Sequence, residues 1–204
     1  MDEPLADVYS INIHSEAAMD RTQAIAALQK TGNLLEKTAR NDSVTVIVGG
    51  AVAAMVVADL PGTRVTHDCD VVVSEPDAGW ETVREAARQI AEKRGLPVDW
   101  LNRDSRMYAH LLPIGWRQRC EMVGRFGPLE VLAIGRRDLM TMKLMGAPVR
   151  PQDLEDIIAM RPTAEDIAIL HEHLDRLDAE SLTRETHDAP RAILDDLEPC
   201  DDPR

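Results

Sequence analysis

Two aspartates separated by a single residue, Asp68 and Asp70, begin an apolar run in PGTRVTHDCDVVV (61–73). Because side chains alternate along a strand, Asp68 and Asp70 are predicted to share one face with their Cα atoms about 6.6 Å apart. Two carboxylates at this spacing can share a hard cation such as Mg²⁺, which completes its shell with water and substrate phosphate. Without a cation, like charges at close range raise the pKa of one carboxyl group and destabilise the fold. The pair predicts a metal site, and the alternative is an exposed strand start beside a polar loop.

A glycine pair stands at the end of the preceding apolar run, VTVIVGG (44–50), directly before the Ala-rich segment AVAAMVVADL (51–60). Glycine lets the backbone approach a ligand closely, and a helix N-terminus offers free N–H groups to a phosphate. Gly49 and Gly50 therefore predict a phosphate cradle beside the aspartates. A tight turn without a ligand would use the same two residues.

A third acidic residue, Asp99, lies in the middle of LPVDWL (96–101), a short predicted strand that follows the DxD strand after one helix. Three carboxylates around two metal ions would suit in-line attack on a phosphate. Glu130 in PLEVLAI (128–134) is the second candidate for this third carboxylate. Its alternative interpretation is a solvent-facing strand position.

The remaining chain must supply the elements that position these groups. Hydrophobic periodicity predicts helices and short strands in alternation, followed by helices alone. We therefore expect an α/β (α+β) fold: a mixed β-sheet flanked by helices, with a helical C-terminal part. The predicted elements are a helix after Ser15 with a break near Gly32, a strand at 44–48, a helix at 51–60, strands at 68–73 and 96–101, with a helix between them, a hairpin at 116–134, and helices at 136–146, after Pro151 and after the Thr163 cap.

Four segments follow from this pattern. Residues 1–40 are predicted to form an N-terminal helical lead-in and residues 41–135 the core. Residues 136–185 are predicted to be C-terminal helices. The acidic, Pro-bearing segment 186–204 is predicted to be a disordered tail.

The charge of the chain is −13 and unevenly distributed. Residues 151–204 hold 16 acidic and 5 basic side chains, a net of −11, whereas residues 103–150 hold 9 basic and 4 acidic side chains, a net of +5. The overall acidity argues against a non-specific nucleic-acid binder, and the basic middle leaves room for a local anionic ligand. Arg117 and Arg119 are predicted to share one face of the hairpin, where they would meet an anionic acceptor or solvent.

The targeting and redox signals predict a cytoplasmic protein. No apolar run approaches the ~20 residues that a membrane span needs. The start MDEPLADVYS (1–10) is acidic and lacks the basic and apolar regions of a secretory signal. The three cysteines have no CxxC spacing and an odd number, which predicts reduced thiols.

Taken in order, Gly49-Gly50 and then Arg64-x-Thr66-x-Asp68-x-Asp70 before three valines resemble the signature of the polymerase-β-like nucleotidyltransferase superfamily. More narrowly, the chain is similar to small bacterial members related to abortive-infection-type toxins of toxin–antitoxin systems. GLPVDWLN (95–102) resembles their third-carboxylate strand, and MKLMGAPVRPQDLEDI (142–157) resembles their C-terminal helical segment. The resemblance covers roughly residues 25–160. One departure is the glycine pair itself, because many members have Gly-Ser, so backbone amides must replace the serine hydroxyl.

The resemblance implies a role for each matching residue. Asp68 and Asp70 would bind the catalytic metals, and Asp99 would act as third ligand or as base for the incoming hydroxyl. Gly49 and Gly50 would hold the triphosphate of an NTP.

Further matching residues would support this site. Arg64 and Thr66 would buttress the turn or touch phosphate, and Lys143 would contact the triphosphate. Arg150, Asp153 and Asp156 would support the helix that follows. Without the resemblance, Lys143 would be interpreted as a solvated surface lysine and the other three as a salt-bridged helix start.

The resemblance implies a Mg²⁺-dependent nucleotidyltransferase, with two ions and an NTP as substrate. It would move a nucleoside monophosphate to an RNA such as tRNA, to a protein or to a small molecule. Such a protein can be the toxin of a toxin–antitoxin system with an antitoxin partner. The alternative is a non-catalytic nucleotide- or protein-binding module on the same fold.

Overall fold

A mixed five-stranded sheet forms the centre of the computed structural model, which describes residues 17–38, 43–58, 60, 65–181 and 186–201. The strand order is β3-β2-β1-β5-β4. β1 pairs antiparallel with β2 and parallel with β5, β2 pairs parallel with β3, and β4 and β5 form an antiparallel hairpin. The strands are β1 Val44–Val48, β2 Cys69–Glu75, β3 Leu101–Asn102, β4 Glu121–Phe126 and β5 Leu129–Ala133.

Helices flank this sheet, which confirms the predicted fold class. Helix α1 packs on α3 and β4, whereas α4 packs on α2, α5 and α7. The helices are α1 Arg21–Lys37, α2 Gly50–Val57, α3 Trp80–Arg94, α4 Arg136–Gly146, α5 Pro151–Ala159, α6 Ala164–Glu180 and α7 Asp188–Asp195; 3-10 turns span Asp77–Gly79, Asp104–Leu111 and Trp116–Arg119. Within the described ranges, none of the helices combines the length and apolar character that crossing a membrane requires.

The core is aliphatic, as the low aromatic content predicts. Central strand β1 reads VTVIV and is buried at four of its five positions, because neighbouring strands and helices cover it. Trp100 is fully buried and satisfies its indole by donating to the Ala87 carbonyl at 3.0 Å. All three cysteines are unpaired thiols.

Helix α1 begins later than predicted and is not interrupted. Asp20 caps it through a capping box with Gln23, and the predicted cap Ser15 lies outside the described residues. The predicted break at Gly32 is wrong. A Cβ at position 32 would overlap the Phe126 backbone, so this glycine permits close packing of α1 on β4.

Two predicted strands are shorter than expected. Of the segment 96–101, only Leu101 is in β3, and the residues before it form a turn. The first hairpin strand was predicted from residue 116, but Trp116–Arg119 is a 3-10 turn and β4 starts at Glu121. Consequently Arg117 and Arg119 do not share a strand face. Arg117 pairs with Glu75, and Arg119 pairs with buried Asp138.

The prediction of a disordered C-terminal tail is wrong for the part that the structure describes. Residues Asp188–Asp195 form α7, because Leu194 and its apolar neighbours at helical spacing are buried against α4 and α6. Arg191 ties α7 to α6 through Asp175 at 2.9 Å and Asp178 at 3.0 Å. The acidic composition of this segment does not indicate an amphipathic helix, because the helix forms by packing on α4, which is distant in sequence, and on α6.

The start of α6 is held by a buried carboxylate. Asp166 closes a capping box with Thr163 and accepts from the Arg136 guanidinium of α4 at 2.8 Å. Burial by itself raises the pKa of the Asp166 carboxyl group, but hydrogen bonds from Arg136 and Thr163 outweigh burial, and the pKa is lowered. This carboxylate therefore stabilises the fold above the ordinary carboxyl pKa, and the contribution is lost as the pH falls through the lowered pKa.

Asp166→Asn is expected to lose about 1–3 kcal/mol of unfolding free energy at pH 7, because it removes a charged hydrogen-bond partner from a buried site. The difference from wild type should shrink as the pH falls below 4, since wild type then loses the same charge. Urea unfolding between pH 7 and pH 3 measures both quantities. Glu165→Gln is the matched control, because its pair with Arg137 is exposed and worth little. Equal losses for the two variants would contradict the prediction.

Candidate functional site

A cavity of about 510 Å³ lies where the start of β2, the start of α2, the 3-10 segment 104–111 and the α4–α5 connection meet. Small-molecule sites fall in the range of about 300–1,000 Å³. The structure brings five predicted site residues to this cavity: Gly50, Thr66, Asp68, Asp70 and Lys143.

Asp70 occupies space that a side chain at position 50 would fill. Gly50 is the first residue of α2 with φ +59°, and a Cβ placed on it would overlap Asp70 Oδ2. The Gly49 N–H donates to the Asp70 carbonyl at 2.9 Å, which fixes the turn against β2. Gly49 itself is buried behind the cavity as the N-cap of α2, and Gly50 is the residue of the pair that lines it. The glycine pair therefore sets the position of Asp70.

Asp68 is held by its neighbour Thr66. The Thr66 hydroxyl donates to Asp68 Oδ1 at 2.8 Å, and Thr66 is anchored by a two-way backbone bridge with Met19. Thr66 therefore supports Asp68, as the first of its two predicted roles has it, and it also lines the cavity. Asp68 is exposed at the cavity mouth, so its carboxylate can reach a ligand there.

Asp70 is the more buried of the two carboxylates. Burial raises the pKa of Asp70, and the charge of Asp68 raises it further. A hydrogen bond with the Ser105 hydroxyl and the charges of Lys143 and Arg150 oppose this shift without cancelling it. Two carboxylates at one cavity thus carry an electrostatic cost that a bound cation would relieve.

A buried ion-pair network forms another part of the cavity wall. The Lys143 ammonium lies 2.6 Å from Asp153 Oδ1 and 2.9 Å from Asp156 Oδ2, and all three residues are buried. Lys143 is therefore not a solvated surface lysine. Buried charges in proteins are normally paired, and the two acids provide that pairing for the Lys143 ammonium beside the cavity.

Arg150 completes this wall at the rim. Its Nε lies 2.7 Å from Asp153 Oδ2, which confirms the salt-bridged start of α5, and its guanidinium stacks 5.8 Å from the Tyr108 ring. A Cβ on Gly146 would overlap Asp153 Oδ2, so this glycine makes room for the network as Gly50 does for Asp70. Half of the Arg150 side chain is exposed, at 49%. Arg150 can therefore contact an anion in the cavity.

Two predicted residues, Asp99 and Glu130, are not brought to the cavity. Asp99 is exposed in the turn before β3 and does not line it, because the expected strand 96–101 does not form there; Asn102 is the β3 residue opposite Asp70. Glu130 lies on β5 and accepts hydrogen bonds from Thr45 of β1 and Arg125 of β4. This agrees with its alternative interpretation as a residue on the strand surface. Arg64 lies outside the described residues.

The sequence prediction missed cavity residues that carry no local signal. Ser105 is buried in a 3-10 turn that was predicted as loop, and its contact with Asp70 spans 35 positions of sequence. His67 and Gln152 also line the cavity. His67 directly precedes Asp68 in the sequence, and this adjacency is the only local signal that points to it.

The donor set fits one Mg²⁺ better than two. Mg²⁺ is commonly held by one or two carboxylates plus water and substrate phosphates, and Asp68 and Asp70 supply those two. Among the described residues, no group of three or more His, Cys, Asp or Glu side chains is placed to hold a metal ion. The second ion of the sequence prediction therefore lacks the carboxylate that Asp99 was expected to provide.

Comparison of the chain with known protein families, with curated proteins and with solved structures found no match. The residues of the cavity therefore carry the functional interpretation by themselves.

Gly50→Ala is expected to destabilise the protein by about 1 kcal/mol or more beyond the left-handed backbone cost of about 1–2 kcal/mol. The added loss arises because the new methyl group overlaps Asp70. Gly95→Ala is the matched control, since Gly95 has a similar φ of +66° with open space around its Cβ position. Urea unfolding of both variants isolates the overlap. Equal losses would show that Gly50 is needed for its backbone angle alone.

Asp70→Asn is expected to raise the unfolding temperature at pH 7 in metal-free buffer, by roughly 2–4 °C for each kcal/mol regained. The raised pKa of Asp70 means that its ionised form is costlier in the folded than in the unfolded chain. The gain is full above the raised pKa and disappears below the ordinary carboxyl pKa, where wild type is protonated in both states. Exposed Asp99→Asn is the control, with no expected change. A lower unfolding temperature for Asp70→Asn would contradict this assignment.

Proposed function

We propose that this protein is a Mg²⁺-dependent nucleotidyltransferase, which transfers a nucleoside monophosphate from an NTP to the hydroxyl group of an acceptor. The observation that carries the proposal is the convergence of Asp68 and Asp70 with Lys143, Arg150 and the start of α2 on one cavity. Carboxylates for a cation and cations for a phosphate chain are the two donor types that a metal–triphosphate complex needs.

The charge of the cavity supports a joint ligand of metal and polyphosphate. Its lining contains three acids, Asp68, Asp70 and Asp153, and two bases, Lys143 and Arg150, for a formal charge of −1 with His67 neutral. A polyphosphate alone would be repelled by this site. One divalent ion reverses the sign to +1, so NTP binding should require Mg²⁺.

The phosphate chain would lie between the start of α2 and the network of Lys143. The first N–H groups of a helix have no intrahelical acceptor, and Gly50 and Ala51 line the cavity at this point. Lys143 is pre-positioned by Asp153 and Asp156, and Arg150 reaches the rim. These groups would hold the triphosphate while Asp68 and Asp70 hold the ion.

In the proposed reaction, the acceptor oxygen forms a bond to the α-phosphorus, the α–β phosphoanhydride bond breaks, and pyrophosphate leaves. When bound, Mg²⁺ would supply charge neutralisation of the phosphate oxygens. The chain would orient the reacting groups. Thr66 and Gly50 fix the two carboxylates, and Asp153 fixes the ammonium group of Lys143 at the same cavity.

One observation favours a second candidate, a non-catalytic nucleotide-binding module. Asp99, the residue expected to take the proton of the acceptor hydroxyl, is exposed outside the cavity. A module of this kind would keep Mg²⁺-dependent NTP binding but release no pyrophosphate.

Calorimetric titration with each of the four NTPs, with Mg²⁺ and with EDTA, tests the binding step. We expect binding that requires Mg²⁺ and that Asp68→Asn and Asp70→Asn weaken by about tenfold or more, because each removes a metal ligand. Asp99→Asn is the matched control, since it removes an equal charge outside the cavity. An unchanged affinity in both cavity variants would contradict the metal site.

Pyrophosphate release from the NTP that binds, in the presence of mixed RNA, protein and small-molecule acceptors, tests the transfer step. Release that disappears in Asp70→Asn supports the enzyme. Mg²⁺-dependent binding without release in every acceptor mixture supports the non-catalytic module. Absence of NTP binding by folded wild-type protein would overturn both.

A further inference from the structure

A second concave site lies beside the first, along the edge of β2 beyond Asp70. Strand β3 pairs with β2 only at Cys69 and Asp70, so the later part of β2 borders a groove rather than another strand. This groove has a volume of about 850 Å³. We name it the Ser74 groove and define it by β2 residues 72–75, Asp77, Arg103, Arg117 and the outward side chains of the 3-10 segment 104–111.

Ser74 presents a buried hydroxyl without a partner. The residue is only 3% exposed, and its Oγ has no hydrogen-bond partner within the part of the chain that the structure describes. Buried polar groups in folded proteins are nearly always hydrogen-bonded, and each exception calls for an explanation, such as an ordered water, a bound ion or a functional role. The hydroxyl can donate one hydrogen bond to a ligand.

Arg103 lines the same groove and carries a second unpartnered group. Its guanidinium is fixed over the Trp80 ring at 5.3 Å and paired with Asp77, so the side chain is only 16% exposed. Its Nε is nonetheless buried without a hydrogen-bond acceptor among the described residues. Two unsatisfied polar groups therefore line one groove, and the Nε–H can only donate.

The rim of the groove limits the size and charge of the ligand. Arg106, His110 and Arg117 add positive or titratable groups, whereas Glu75, Asp77 and Asp104 add negative ones. Arg117 is paired with Glu75 and stacks on Trp116 at 5.4 Å. Together with Arg103, the groove carries three arginines and three acids, so its formal charge is balanced and it does not attract a polyanion such as RNA. A small molecule with one anionic group suits two inner donors within a balanced rim.

We propose that the Ser74 groove binds a small molecule through a single phosphate or carboxylate group, which accepts hydrogen bonds from the Ser74 hydroxyl and the Arg103 Nε–H. Arg103 is held in place by Asp77 and by the Trp80 ring, whereas the Ser74 hydroxyl is free to rotate toward the anionic group.

The position of the groove identifies this molecule as the acceptor substrate. Ser74 lies four residues after Asp70, no more than about 13 Å along the strand. The 3-10 segment 104–111 contributes Ser105 to the cavity and residues such as Asp104 and Arg106 to the groove. An acceptor anchored by its anionic group in the groove can therefore extend a hydroxyl toward the cavity. This identification rests on the proposed function, whereas the anion site does not.

Titration with inorganic phosphate in EDTA, followed by NMR of the arginine Nε–H signals, tests the site without NTP or activity. Arg103→Lys assigns the Arg103 signal. We expect this signal to shift in a saturable way, while the signal of exposed, Glu81-paired Arg84 stays constant. An Arg103 signal that does not respond would overturn the proposal even if Mg²⁺-dependent NTP binding is found, and a response without NTP binding would support the anion site alone.

Ser74→Ala provides the sharper variant. We expect phosphate affinity at Arg103 to fall about tenfold, because a hydrogen bond to a charged ligand is lost. We also expect an unchanged or higher unfolding temperature, because the deleted hydroxyl has no partner in the free protein. Ser105→Ala is the matched control: it removes a buried hydroxyl that is bonded to Asp70, and phosphate affinity at Arg103 should not change. A lower unfolding temperature for Ser74→Ala with unchanged affinity would show that the hydroxyl is structural and would overturn the proposal.

Parallel titrations with acetate and with a short RNA distinguish the sources of the anionic group. Tighter binding of phosphate identifies a phosphorylated molecule, and tighter binding of acetate identifies a carboxylic acid; either result supports the site. A response to RNA alone, with none to the two small anions, would overturn the proposal.

Discussion

The close approach of Gly50 to the Asp70 carboxylate is the constraint on which the cavity depends. The α2 turn leaves a void where a side chain would stand, and Asp70 Oδ2 occupies it. The Gly49 N–H bond to the Asp70 carbonyl locks the two segments together. Because this contact joins β1, α2 and β2, the central strand pair cannot shift its register without expelling the carboxylate. The two neighbouring carboxylates therefore carry their electrostatic cost at this tightly packed contact between Gly50 and Asp70.

The ion-pair network of Lys143 compensates the burial of charge at another part of the cavity wall. Lys143 is buried, and burying a charged group is costly unless it is paired with an opposite charge. Asp153 and Asp156 provide that opposite charge, and they come from the first turns of α5, so the α4–α5 connection is fixed by charge pairing as well as by apolar contacts. Gly146 provides the clearance at the end of α4. The cavity thus combines two neighbouring carboxylates, Asp68 and Asp70, with a network in which Lys143 and Arg150 balance two other acids. Under the proposed function, the metal-bound polyphosphate would lie between these two sets of groups.

Strand β2 and the 3-10 segment 104–111 connect the cavity to the Ser74 groove. The start of β2 and the start of the 3-10 segment carry Asp68, Asp70 and Ser105 at the cavity. The later part of β2 carries Ser74, with its unsatisfied hydroxyl, at the groove. An extra residue at Val72, where the register with β1 shifts between Ile47 and Val48, interrupts the alternation along β2. This irregularity separates the two sites on a single strand. Under the proposed function, two sites placed in this way would bring the NTP and its acceptor together without a domain movement.

Local patterns in the sequence by themselves determined the order of elements, the Thr163 cap, the Pro151 helix start and the pairing of Asp68 and Asp70 with Gly50, because capping, periodicity and short-range spacing are encoded within a few residues. Only the tertiary structure decided the rest. Asp99 does not line the cavity, because β3 has only two residues. Ser105 contacts Asp70 from a 3-10 turn, and part of the acidic tail forms a helix that packs on α4 and α6. Each of these outcomes depends on contacts between residues distant in sequence, where burial and charge pairing outweigh local propensity.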